Sequence, residues 1–211
     1  MKTKNKVLMM HARETLDRGG NWSLAVGATL IYIVISGAAS FNPFFWFLVG
    51  GPLAISFSYF FLSLSRNKTV EIGDMLKGFD KNFLNPVLAM VLITIYVLLW
   101  AVLLIIPGII AALSYSQVFF ILVENPSMSA SDAIAKSKAM MEGYKWKYFC
   151  LFFRFIGWII LSIFTLGIGF LFLAPYMQVT FAKFYDDIQS GHSHSKIEEK
   201  NEEQNITENM E

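Results

Sequence analysis

The sequence predicts an all-α membrane protein with six transmembrane helices paired as three helical hairpins and short cytoplasmic amphipathic helices. Three observations carry that expectation. Of the 211 residues, 55% are apolar and only 16% charged, against roughly 25% charged in an ordinary soluble domain. Charge is absent from three long windows, 19–65, 82–123 and 155–182. With six spans, all 17 Lys and Arg fall on one face of the membrane, and an excess of these residues in short flanks marks that face as cytoplasmic. The same composition excludes a disordered chain, a coiled coil and a nucleic-acid binder. The single Cys150 excludes an intramolecular disulfide.

A spanning helix needs about 20 apolar residues, so the first two windows each hold two spans and a turn. The first places spans at about 22–40 and 44–65 around Ser40-Phe41-Asn42-Pro43. The second places them at about 84–106 and 108–123 around Pro107-Gly108, a pair suited to tight reversal. The third stretch places spans at about 148–166 and 169–185 around Gly167-Ile168-Gly169, with Arg154 and Lys183 snorkelling near its ends. The competing reading there is one span over 148–173 followed by an interfacial helix. The segment 1–18 is basic and polar and reads as no signal peptide, so the first span serves as its own uncleaved signal. Both termini are then cytoplasmic.

Each hairpin follows a short amphipathic stretch. The first carries Met9, Ala12 and Leu16 before Gly19-Gly20-Asn21-Trp22. The second carries Ile72, Met75, Leu76 and Phe79 before Asn82-Phe83. The third carries Ala130, Ala133, Ile134, Ser137 and Met141 before Gly143-Tyr144-Lys145-Trp146, with Ser129 and Asp132 as a capping pair. Tyr59, Tyr115 and Tyr176 each lie seven residues beyond Pro52, Gly108 and Gly169 in the second arms. Two readings stand: a threefold parallel repeat, or the general likeness of apolar helices. Residues 1–188 form the membrane domain. The acidic tail 189–211 has almost nothing apolar to bury and is expected to be disordered.

No catalytic, cofactor or metal site is expected. His192 and His194 lack further ligands, Cys150 lacks an activating histidine, and no phosphate loop or nucleophile elbow occurs. No span contains Asp or Glu, which weakens proton-coupled or sodium-coupled exchange. The polar candidates are Tyr59, Tyr115, Gln117, Tyr176 and Gln178, able to line an intramembrane pocket or merely to bond between helices. Lys136, Lys138, Lys145, Lys147 and Arg154 are candidates for contact with anionic lipid headgroups, making the bilayer itself the expected partner.

The string His11-Ala12-Arg13-Glu14, Gly20-Asn21-Trp22, Pro107-Gly108-Ile109 and Tyr115-Ser116 resembles a family of bacterial integral membrane proteins, domain of unknown function 975. Ala133 with Ser137, Met141-Glu142-Gly143, Phe155-Ile156-Gly157-Trp158, Thr165-Leu166-Gly167-Ile168-Gly169, Pro175-Tyr176 and Phe184-Tyr185 extend the resemblance over about 7–188. It implies a bacterial cytoplasmic membrane location and brings no functional residues. The expected function is a non-enzymatic, transporter-like or permease-accessory component handling a small or lipid-like molecule. The alternative is a structural or regulatory protein that organises partners or lipid through its cytoplasmic helices.

Overall fold

The chain is described here from a computed structural model covering residues 3–79, 83–165 and 167–208, with side chains as far as Gly191 except Pro43, Phe44 and Leu103. Asn82, Leu166 and the imidazoles of His192 and His194 lie outside the described residues. Five helices among those described are long and apolar enough to cross a membrane: Asn21–Ala39, Phe45–Ser65, Leu84–Val102, Ile105–Glu124 and Lys145–Phe164.

Helix α1 (Asn5–Asp17) ends at Gly19 and Gly20, whose φ values of +56° and +80° let the chain turn into α2 (Asn21–Ala39). A short turn leads to α3 (Pro43–Ser65). Pro43 opens that helix, where the amide it lacks would have no partner anyway. These two helices lie within a residue or so of the segments 22–40 and 44–65.

The second hairpin reverses elsewhere than expected. Helix α4 (Leu84–Leu103) stops at Leu104, the single extended residue before α5 (Ile105–Tyr115). Pro107 lies in the first turn of α5, where proline breaks no hydrogen bond. Gly108 provides close packing instead of a turn, because a Cβ there would come within 2.8 Å of the Ala101 Cα. After a break at Ser116-Gln117, α6 (Val118–Glu124) continues the second arm.

Helix α7 (Ala130–Met140) is capped as expected, with Ser129 Oγ accepting the Asp132 amide at 3.2 Å. Its predicted face, Ala130, Ala133, Ile134, Ser137 and the adjoining Met141, is wholly buried. Helices α8 (Lys145–Phe153) and α9 (Ile156–Phe164) form the next arm, and the chain reverses at Gly167 (φ +86°) into α10 (Ile168–Glu208). Gly169 seats α10 on α9, since a Cβ there would meet Ser162 Oγ at 2.7 Å. The uninterrupted span over 148–173 therefore does not form. The expected sixth segment, 169–185, is not among the five membrane-length helices, its apolar character diluted by Pro175, Gln178 and Lys183. Helical backbone continues past Gln189 to Glu208, where order was expected to end. Glu, Lys and Gln there favour helix without needing a core.

Burial separates the arms. The second arms α3 and α5–α6 have 56% and 44% of their apolar windows buried, against 22%, 11% and 17% for α2, α4 and α8–α9. Helix α3 packs on both α6 and α10, so second arms make the interior. The amphipathic segments pack on them in turn: α1 on α10, the 3₁₀ segment Ile72–Phe79 on α3, and α7 on α4, α5 and α6. Of the expected amphipathic stripe, Met75 is buried, while Ile72, Leu76 and Phe79 are exposed. A 3₁₀ helix repeats every three residues, so Gly78 joins Met75 on the inner side and its amide donates to Ser56 Oγ at 2.8 Å.

Candidate functional site

Three second arms meet at a charged cluster. Arg66 follows α3, Glu124 ends α6, and Asp186 lies on α10. One guanidinium nitrogen, Arg66 Nη2, reaches Glu124 Oε1 at 2.5 Å and Asp186 Oδ1 at 2.6 Å. The other Glu124 oxygen accepts from Tyr185 Oη and Gln189 Nε2, both at 2.6 Å. Burial alone would lower the Arg66 pKa, but hydrogen bonds and attraction from the two carboxylates outweigh it and push it further up. Its charge is therefore permanent, and the three arm ends are held together by one cation.

Eight residues before each member of this cluster stands a polar side chain: Ser58 on α3, Ser116 before α6 and Gln178 on α10. Five residues before each stands a phenylalanine: Phe61, Phe119 and Phe181. Eight residues of helix rise about 12 Å. Ser58, Ser116 and Gln178 line one cavity of about 230 Å³, joined by Phe119, Phe181 and the phenols Tyr32 of α2 and Tyr148 of α8. The cavity thus combines hydroxyls and an amide with aromatic walls, and no charged side chain among the described residues lines it. Beside it, Gln117 is fully buried and its Nε2 donates to Ser116 Oγ at 2.8 Å. Gln117 Oε1 is buried with no hydrogen-bond partner among the described residues, a state that costs about 1–3 kcal/mol.

The five residues singled out in the sequence do not converge. Gln178 lines the cavity and Gln117 borders it, but the three tyrosines go elsewhere. Tyr59 Oη accepts from Lys77 Nζ at 2.9 Å, with that ammonium 4.4 Å from the ring centroid. Tyr176 Oη donates to the Met9 carbonyl at 3.2 Å, and the Tyr115 ring lies 6.1 Å from that of Tyr96. Ser58 and Ser116 were not grouped with Gln178 because the arms were aligned on their turns. Alignment on the first charged residue after each arm groups them. Among the headgroup candidates, Lys138 and Arg154 are exposed, while Lys136 and Lys145 are half-buried. Lys147 instead turns inward, pairing with Asp187 at 2.6 Å and fastening α8 to α10.

Apolar helices of membrane-crossing length around a small polar cavity define the class expected of polytopic membrane proteins. Within this chain, residues 101–192 match the family described as Protein of unknown function (DUF975). That range runs from the end of α4 into α10, narrower than the 7–188 suggested by the motifs, and leaves α1 to α3 outside. No curated protein and no solved structure matches the chain.

Proposed function

We propose that the chain is a six-span protein of the bacterial cytoplasmic membrane with both termini inside. Its three hairpins sit around a pseudo-threefold axis, and it acts as a transporter-like or permease-accessory component. The carrying observation is the cavity among the three second arms, lined by residues in the same register relative to Arg66, Glu124 and Asp186. Uncharged hydroxyl and amide groups against aromatic walls suit a small, neutral polar solute. The charged cluster lies about 12 Å along the arms from that cavity and forms its cytoplasmic gate. Opening requires Arg66 to release at least one carboxylate. With no carboxylate among the cavity-lining side chains, selection rests on hydrogen bonding and size.

Single-cysteine variants test this reading. In a Cys150→Ala background, Ser58→Cys and Ser116→Cys should react with a small water-soluble methanethiosulfonate in intact vesicles. Adding Arg66→Ala should speed labelling from the cytoplasmic side. Absence of labelling from either side means a dry packing gap. That result favours the structural or regulatory reading, for which the exposed Ile72, Leu76 and Phe79 offer a docking face. Reporter fusions after Asn42, Leu104 and Gly167 should read outside, and those after Gly143 and Gln189 inside. An outside signal at Gln189 refutes the six-span topology.

A further inference from the structure

A second, larger concavity of about 610 Å³ lies between α1, α9 and α10, away from the central cavity. Its walls are mainly apolar, Trp158 and Leu161 from α9 with Phe172 and Leu173 from α10, and Ser162, Thr165 and Tyr176 add hydroxyls. Trp158, Leu161 and Phe172 are each more than half exposed, so this groove opens sideways from the bundle. One end is different. There α1 presents Arg13 and Asp17, one helical turn apart, with Arg13 Nε and Asp17 Oδ2 3.8 Å from each other. Trp22 donates its indole N–H to Asp17 Oδ1 at 2.8 Å, fixing the carboxylate at the groove mouth. A greasy trough ending in one cation and one anion matches an amphiphile whose head carries both signs.

We propose that this groove binds one glycerophospholipid with a zwitterionic, primary-amine headgroup, of the phosphatidylethanolamine type. An acyl chain lies along Leu161, Phe172 and Leu173, the phosphate meets Arg13, and the ammonium donates to Asp17. Complementarity selects the headgroup. A purely anionic head meets Asp17 as a like charge, and a quaternary ammonium has no N–H to donate to it. The inference rests on the membrane placement proposed above, which puts α1 at the cytoplasmic headgroup layer.

The test uses the full chain carrying Trp46→Phe, Trp100→Phe and Trp146→Phe, so that Trp22 and Trp158 in the groove supply all tryptophan fluorescence. The protein is placed in phosphatidylcholine vesicles, and brominated-chain phosphatidylethanolamine, phosphatidylglycerol or phosphatidylcholine is titrated in as quencher. Phosphatidylethanolamine should reach half-maximal quenching at a mole fraction about fivefold lower than phosphatidylglycerol, the ratio one exposed charge contact can supply. Asp17→Asn, which keeps an acceptor for Trp22, should erase that preference. Arg13→Gln should weaken quenching by all three lipids, since each carries the phosphate that Arg13 meets. Quenching that follows bulk composition equally for all three lipids overturns the proposal and leaves ordinary boundary lipid. No quenching by any of them overturns the membrane placement as well.

Discussion

Replacing Gly78 by alanine should separate the 3₁₀ segment from α3. A Cβ at Gly78 would stand 2.0 Å from the Pro52 carbonyl oxygen, 2.5 Å from Ile55 Cγ2 and 2.6 Å from Ser56 Oγ. The first of these is backbone within a helix and cannot rotate away, so the segment itself must move. Overpacking of this kind costs about 1–3 kcal/mol. The displaced segment also loses the Gly78 amide bond to Ser56, worth about 0.5–1.5 kcal/mol. The sum is a destabilisation of about 1.5–4.5 kcal/mol. Gly73, five residues earlier in the same segment, is the control: a Cβ there meets nothing within 4 Å. Gly73→Ala should be neutral or stabilise by up to about 1 kcal/mol, through reduced freedom of the unfolded chain. Both variants are compared with the parent by denaturant titration in detergent micelles, followed by tryptophan fluorescence. Gly78→Ala within about 0.5 kcal/mol of the parent, or matching Gly73→Ala in sign, would refute the packing argument.

Arg66→Ala leaves two carboxylates facing each other without their cation, at sites only 18% and 33% exposed. A loss of about 2–3 kcal/mol is expected, below the 3–5 for a fully buried pair because solvent screens these groups; Arg66→Lys should recover part of it in the same titration, and a neutral Arg66→Ala would deny the cluster a structural role. For Asp74, burial alone would raise the pKa, but hydrogen bonds from Lys77 and the Glu71 amide, with attraction to Lys77, hold it below the usual carboxylate range. Its stabilisation is therefore present above the ordinary carboxylate pKa and lost as pH falls through the lowered one. The gap between parent and Asp74→Asn should close on acidification, as read by melting temperature, and a gap unchanged with pH would contradict the ion pair. Deleting 190–211 keeps the Gln189 bond to Glu124 and should shift stability by no more than about 0.5 kcal/mol, with a larger loss in the same assay showing that the tail docks.

What the sequence revealed depended on how local the signal was. The first hairpin was placed well because Asn42-Pro43 is both a turn and a helix start, two readings that agree. Pro107-Gly108 misled because proline opens helices as readily as it ends them, and glycine answers to close packing as well as to turning. The buried face of α7 was legible from its 3.6-residue spacing. The face of Ile72–Phe79 was not, since the same residues wound as 3₁₀ present a different side. The charged cluster was out of reach of any short-range rule. Arg66 lies 58 positions from Glu124 and 120 from Asp186, and only folding brings the three together.

The docking of α1 on α10 ties the first described helix to the last described one. Leu8, Ala12 and Leu16 are buried there, the Met9 carbonyl accepts from Tyr176 across 167 positions, and Thr3 donates to Asp187. At ribosomal speeds of about 5–20 residues per second, α1 waits on the order of ten seconds or more for its seat to be synthesised. Throughout that interval its apolar stripe lacks the surface of α10 that covers it in the folded chain. A chain cut short before α10 never closes the ring and keeps that stripe on show.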